Sequence, residues 1–514
     1  MATKDAAMAP ASDNEKVMAP SSDNEKAHIS SGDSTSATVE NGTPIPVVSE
    51  ETEKRLMKKL DRRIIPVCCW IYLMNFMDRV GIGNARLFKI EEDLGMDPNS
   101  NQFQLAVSIL FVTYCLFETP SNLIIKKLKP ARYLAGLVLI WGIIAVCTGL
   151  VQSYAALIAC RLLLGLFEAG LFPGIMLYLT TFYTKRHISL RNAYFYSISA
   201  LSGAVGGLVA YGIAQMDGAG GWNAWRWIIT INGIPTILTA PLVLWLLPND
   251  PETASFLTEE DRRNLVLLRQ AEIGQTVSGQ QMHKEDVIAG VKDWKIWALS
   301  FAQFCSHSVL YSFSVFLPTI IREMGQTGWS DAVVNALTIP VYLVGFGTYL
   351  LVASYSDKIQ KRGIFCISGA AVMIIGYALL LAHANVASRF VGCFFISAGL
   401  WVCSGSGMAW VTVNQPRYGK RAFASGIFIT IGNAAGVAAP FLYEGKFRPR
   451  YIPGYSATIG MLLFAMCVHS ALWFHMKKKN DRKLAGLEDW RMEGKTEEEI
   501  NEMGEHNPRY LYTL

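Results

Sequence analysis

Twelve stretches of mostly apolar sequence, each long enough to cross a bilayer, run through this chain between residues 64 and 476. A helix needs about 20 such residues to span the hydrocarbon. The windows are 64–85, 103–125, 132–151, 154–182, 192–215, 226–247, 295–320, 333–355, 363–383, 389–413, 421–443 and 455–476. The fourth is long enough to tilt or to project beyond the hydrocarbon. A membrane barrel would need alternating segments of about ten residues, and these runs are longer and unbroken. The expectation is an all-α membrane protein of twelve transmembrane helices.

Composition narrows the function. Of 514 residues, 51% are hydrophobic and 17% charged, against about 25% charged in soluble domains. That excludes a mostly disordered chain, a secreted disulfide scaffold and an ordinary soluble enzyme. The net charge of +5 resides in short clusters between apolar runs, which does not suit a nucleic-acid surface. All ten cysteines fall inside apolar runs with no ligand-like spacing to His or Asp. They read as small buried hydrophobes, and neither a metal nor another cofactor is expected. No nucleophile–base pair appears either, so the chain is not expected to be an enzyme.

The runs divide the chain. Residues 1–60 are polar and carry a duplicated unit, Met8–Lys16 and Met18–Lys26; such a segment cannot bury enough surface to fold and is expected as a disordered cytosolic tail. No cleavable signal precedes the first span, which is expected to direct its own insertion. Six spans occupy 61–247, a charged central loop with short amphipathic helices 248–293, six more spans 294–476, and a charged tail 477–514. Two six-helix halves joined by a long loop suggest an internal, pseudo-symmetric repeat, with a substrate cavity near the midplane.

Loop charge sets orientation. With an even span count, both tails share one side. Its short loops hold Lys126, Lys127, Lys129 and Arg132; Lys185, Arg186 and Arg191; Lys358, Lys361 and Arg362; and Arg417, Lys420 and Arg421. The opposite loops after spans 3, 5, 7 and 9 hold Arg226, Arg322 and Arg389. Both termini are therefore expected in the cytosol, and the sequon Asn41-Gly42-Thr43 should stay unmodified. Lys89 lies among acids on the opposite side, but Lys446, Arg448 and Arg450 run against the rule there.

A charge at a helix centre costs about 2.5–3.5 kcal/mol on insertion scales, so the intramembrane charges are informative. Span 1 ends with Asp78 and Arg79, span 2 holds Glu118, and span 4 holds Arg161 and Glu168. Arg161 and Glu168, seven apart, share a face about 10 Å apart along the axis, too far for contact; each needs another partner. Glu118 precedes Thr119-Pro120, where a helix break is expected. One reading is that these charges are salt bridges between helices. The other is functional. An Arg presents a permanent charge and a planar fork suited to a carboxylate, and a buried Glu can load and release a proton. Protonation of Glu168 that frees Arg161 or Arg79 would couple an organic anion to a proton. Further candidates are Gln303, His307 and Tyr311, one stripe of span 7; Trp401, Ser404 and Trp410 of span 10; and Asn433 among small residues of span 11.

These segments together resemble a known family. They are Asn75-Phe76-Met77-Asp78-Arg79, Glu118-Thr119-Pro120-Ser121-Asn122, Arg161 through Gly170 with Pro173-Gly174, Trp225-Arg226-Trp227 with Gly233-Ile234-Pro235, Leu247 through Pro251, and Lys420-Arg421-Ala422 with Gly432-Asn433. Their order and spacing are similar to those of major facilitator superfamily transporters of the anion:cation symporter group, fungal allantoate permease branch. The resemblance implies the major facilitator fold. It implies proton coupling through Asp78 and Glu168, a substrate carboxylate on Arg79, Arg161 as partner of the acids, and Asn433 on the cavity wall. His307, Tyr311 and Trp401 join Arg79 and Asn433 as the expected substrate-binding set. The chain departs from the pattern at Asn232, where Glu is common, and in the hinge after span 2, which lacks the Gly and Asp of the general motif.

The resulting expectation is a plasma-membrane, monomeric symporter that imports a small organic anion, such as a carboxylate nutrient, vitamin or ureide, with a proton. An exporter is the alternative, disfavoured because span 5 reads Gly203-Ala204-Val205-Gly206-Gly207-Leu208 without the Pro of antiporters. A nutrient-sensing receptor is a third reading, disfavoured by modest tails.

Overall fold

A backbone in hydrocarbon can bond only to itself, so each apolar run must close its own hydrogen bonds as a helix. The computed structural model describes residues 39–40, 43–44, 48–125, 128–183, 185–273, 283–324, 328–382 and 385–514. Within them twelve elements are long and apolar enough to cross a membrane. Spans 1 to 6 begin with Glu50–Arg86, Gln102–Ile125 and Pro130–Leu150. Span 4 is Tyr154–Phe182, followed by Lys185–Ile213 and Ala224–Leu246. Spans 7 to 12 are Trp294–Met324, Asp331–Ile359, Gly363–Leu381, Val386–Val413, Tyr418–Ala438 and Ile452–Leu484. Short helices Glu259–Ile273 and Lys284–Lys292 lie in the central loop. Apart from this body, Val39–Glu40 pairs antiparallel with Thr43–Pro44. The duplicated unit, Asn41, Gly42, Lys126 and Lys127 lie outside the described residues.

Packing reveals the repeat. In the first half span 1 packs on spans 5 and 6, span 2 on 4, and span 3 on 4 and 6. Adding six to each number reproduces the second half: span 7 on 11 and 12, span 8 on 10, span 9 on 10 and 12. Between halves, span 1 meets 7, span 2 meets 11 and span 5 meets 8. The last two pairs exchange under the same shift, as a pseudo-twofold axis requires. Large apolar side chains such as Leu116, Leu238, Trp245 and Leu351 point outward, a surface that only lipid makes stable.

Close helix approach depends on small residues, because lipid supplies no hydrophobic drive between helices. A Cβ at Gly376 would stand 2.6 Å from the Gly392 carbonyl, and one at Gly392 would stand 2.7 Å from the Gly376 carbonyl. Gly83 of span 1 lies flat against the backbone of span 7, where a Cβ would stand 1.9 Å from the Val315 carbonyl oxygen.

Two expectations are corrected. Span 1 starts at Glu50, inside the segment assigned to the tail. Ser49 caps it by accepting from the Thr52 N–H, acids fill its first turn, and Leu56, Met57, Leu60 and Ile64 are buried at helical spacing. The amphipathic start holds no apolar run, so hydropathy missed it. No break follows Glu118: span 2 continues through Pro120 to Ile125. The break falls instead in span 4, where helix Tyr154–Glu168 stops and Leu171–Phe182 restarts. Pro173 can neither bond nor comfortably pass the Ala169 carbonyl, so the ladder opens directly after Glu168.

We call the side holding the start of span 1 and the end of span 12 the terminal side. On the far side, bonds join the two halves. Arg448 meets Glu91 at 3.8 Å and Glu323 at 3.3 Å, and Arg322 donates to the Leu87 carbonyl at 3.2 Å. Gln104 donates to the Tyr443 carbonyl at 2.8 Å and Ser108 to that of Val437 at 2.6 Å. The Arg448 cluster that broke the loop-charge rule thus contributes to closing this side.

Candidate functional site

Span 1 carries Tyr72, Phe76 and Arg79 at spacings of four and three, which places them on one face. That face borders a cavity between the halves, narrowed here to about 40 Å³. Tyr114 of span 2, Phe172 of span 4 and Tyr196 of span 5 complete the first half's wall. The second half contributes Gln303, His307 and Tyr311 of span 7, Ser404 and Met408 of span 10, and Phe428 and Asn433 of span 11. Small-molecule sites enclose about 300–1,000 Å³, so this conformer is constricted around the site.

Arg79 is the cavity's cation. Its Nε donates to Glu168 Oε1 in a close ion pair. Asn75, one turn earlier, donates to the same oxygen at 2.7 Å. The guanidinium lies over the rings of Tyr114, at 4.8 Å, and Phe111, at 5.6 Å, a favourable placement for a cation. Among the described residues no hydrogen bond engages either Nη. Glu168 itself sits behind Arg79, 2% exposed, at the helix break. Ala169 and Gly170 keep right-handed helical dihedrals there, so the interruption is of the hydrogen-bond ladder and the span continues in one direction.

Asp78 and Arg161 lie within electrostatic reach of Glu168 without touching it. Each feels the other's charge, yet among the described residues no ion pair within 4 Å joins Arg161 to an acid. The Trp141 indole N–H is directed at Asp78, while Arg161 Nε is buried without a hydrogen-bond partner among the described residues. The resemblance implied a partnership of Arg161 with the acids: Arg161 feels the charges of both Asp78 and Glu168, while the direct ion pair of Glu168 is with Arg79.

Across the cavity Tyr311 OH donates to Asn433 Oδ1 at 2.7 Å, and Gln303 contacts His307 Nε2 at 2.7 Å. Asn433 Nδ2 in turn reaches Glu118 at 3.4 Å, and Thr430 reaches its other oxygen at 3.5 Å. Glu118 thereby links span 2 to span 11. Of the expected substrate-binding set, Arg79, His307, Tyr311 and Asn433 line the cavity, and Trp401 does not. The Trp401 ring is fully buried against span 8, and its indole N–H donates to Ser199 Oγ at 2.8 Å. It joins span 10 to span 5 and is a packing residue. Trp410 also lies elsewhere, donating to the Thr513 carbonyl at 2.8 Å. Sequence reasoning missed Asn75 and the aromatic wall; the Tyr72, Phe76, Arg79 spacing was the available signal.

Comparison with known proteins agrees with this architecture. The family model described as Major Facilitator Superfamily matches residues 68–440. The chain belongs to the Major Facilitator Superfamily. An uncharacterized transporter of Schizosaccharomyces pombe is 36% identical over 442 residues, covering 85% of this chain and 87% of that protein. The high-affinity nicotinic acid transporter of Saccharomyces cerevisiae is 28% identical over 468 residues, covering 91% of this chain and 86% of that protein. Among solved structures, the proton:xylose symporter superposes with a TM-score of 0.64 at 14% identity, over 82% of this chain and 96% of that one; at that identity the likeness establishes the fold alone. This superfamily member is a secondary transporter embedded in the membrane, and not an enzyme.

Proposed function

We propose that the protein imports a small organic anion together with a proton by alternating access, as the anion:cation symporter group and its fungal allantoate permease branch do. The observation that carries this reading is the shared position of Arg79. It is held by Glu168 through Nε and also lines the cavity. A substrate carboxylate and the Glu168 carboxylate therefore compete for one guanidinium. A proton added to Glu168 removes its negative charge, and Arg79 then pairs with the substrate instead. One proton and one monoanion entering together move no net charge. Deprotonation of Glu168 on the other side restores its pair with Arg79 and displaces the substrate.

The nicotinic acid transporter supports this reading, since its named cargo is a carboxylic acid. The loop charges favour cytosolic termini, and we assign the protein to the plasma membrane on the nutrient-uptake reading. The glycines of span 5 have a packing role that needs no antiporter motif: a Cβ at Gly203 would stand 2.5 Å from the Tyr342 ring, and one at Gly207 2.5 Å from Thr338. The test is the purified protein in liposomes with a pH-sensitive dye inside and a panel of carboxylates outside. Proton entry that depends on one member of the panel supports the proposal. Carboxylate movement with no proton movement refutes it.

A further inference from the structure

The charged tail expected after span 12 is folded onto the body. Residues 504–514 lie across the terminal-side ends of five spans of the second half, held chiefly through their own backbone. Asn480 of span 12 accepts from the Tyr512 N–H at 2.8 Å and donates to the Tyr512 carbonyl at 2.8 Å. Asn414, at the end of span 10, treats Thr513 the same way, at 2.8 and 3.0 Å. Lys483 of span 12 donates to three carbonyls, those of Glu505 at 2.8 Å, Asn507 at 3.0 Å and Tyr510 at 2.8 Å. The Leu514 carbonyl accepts from the Arg362 N–H at the start of span 9. One acidic side chain completes the set: Glu505 reaches Lys295 of span 7 at 2.8 Å and Lys420 of span 11 at 2.9 Å.

A side-chain amide that bonds both backbone groups of one residue reads extended peptide as a neighbouring strand would, with affinity from main-chain bonds. Two such amides here address consecutive residues. Asn414 and Asn480 are 1% and 8% exposed, and a buried amide left without its partners is destabilising. These side chains are therefore disposed for a bound peptide, and the second half offers them as one contiguous surface.

We propose that the terminal-side face of the second half is a peptide-binding site, filled in cis by residues 504–514, and that its occupancy makes five span ends move as one body. Spans 10 and 11 also carry the cavity residues Ser404 and Asn433, so release of this strap loosens the second half's wall of the cavity. The inference does not depend on what the cavity carries.

The test uses the full chain with a protease-recognition sequence placed at the exposed turn 492–495, cleaved after folding. In the nicked protein the fragment stays bound through gel filtration. In nicked Asn414→Ala/Asn480→Ala it is lost, and amide exchange at the terminal ends of spans 10 and 12 rises by about tenfold or more, as local opening predicts. A fragment that leaves nicked wild type as fast as the double variant overturns the proposal, as does exchange that stays unchanged after release. Should the double variant not fold, a labelled synthetic 504–514 peptide is added to nicked wild type. It exchanges with the bound fragment, whereas a peptide with Pro at 512 and 513, lacking both N–H groups, does not. Equal behaviour of the two peptides, or no exchange of either, overturns the proposal.

Discussion

Asn75 and Arg79, one helical turn apart on span 1, both donate to the same oxygen of Glu168 on span 4. The acid is thus fixed from one side by a neutral amide and from the other by the guanidinium of a cavity-lining arginine. Removing the proton-sensitive partner and removing the cation therefore have different consequences.

Arg79→Ala takes the one Arg or Lys among the described residues of the cavity wall and leaves Glu168 with the Asn75 hydrogen bond. With no cation to pair with a substrate carboxylate, uptake normalised to surface abundance should fall by roughly 100-fold or more. Arg79→Lys restores the charge without the planar fork and should recover uptake only in part. Wild-type rates in Arg79→Ala, measured with a radiolabelled substrate, would remove the anion clamp.

Glu168→Gln keeps an oxygen for Asn75 and Arg79 but cannot be charged. Accumulation driven by a pH gradient should be lost, while exchange of internal for external substrate persists. If a pH gradient still drives accumulation in this variant, the proton travels through another group.

Gly83→Ala places a methyl group against the Val315 carbonyl, and the far side can then close only by moving two backbones apart. The conformer open on that side should gain population. Labelling of Tyr311→Cys by an impermeant maleimide from the far side reads this, with the exposed Cys147 and Cys467 replaced. Unchanged labelling on adding Gly83→Ala would show that this contact does not govern closure.

Trp401→Phe removes the bond to Ser199, worth about 0.5–1.5 kcal/mol, and should lower thermal stability by a few degrees. Because the ring lies off the cavity, substrate affinity should stay within about twofold. A large loss of affinity in a competition assay would return Trp401 to the binding site.

Docking of the C-terminal strap should be indifferent to pH near neutrality. Burial pushes the Glu505 carboxyl up, but Lys295 and Lys420 outweigh it and hold it at about 2, below its usual 4.5. Tyr512 and Asp293 also face this cluster, and burial holds the nearby His506 below the usual histidine range. A depressed carboxyl contributes stability fully above its unfolded value and loses it as pH falls through the folded one. Amide exchange of 504–514 should therefore be flat from about pH 5 to 8 once corrected for intrinsic rates, and rise below about pH 4. A rise between pH 6 and 7 would place control elsewhere.

The positions of the spans were legible because lipid imposes a length and an apolar composition that few other environments demand. Polar and structural exceptions were harder to place. Both Pro120 and Pro173 break the local rule, yet only the second opens its helix, immediately after Glu168. The Arg448 cluster contradicted the loop-charge pattern; its partners are Glu91, which follows span 1 in the other half, and Glu323, at the end of span 7 in its own half.

What the sequence alone determined is therefore one-dimensional: twelve spans, two halves, and which few side chains carry charge where charge is expensive. Tertiary structure alone decided pairing. Arg79, Arg161, Asp78 and Glu168 allow more than one arrangement by spacing, because helices on separate segments can rotate and shift freely in sequence space. Packing of span 1 against the broken span 4 gives Glu168 to Arg79. The same holds at the C-terminus, where a charged, hydropathically featureless tail acquires its fold from two buried amides and a lysine that lie more than twenty residues upstream of the residues they hold.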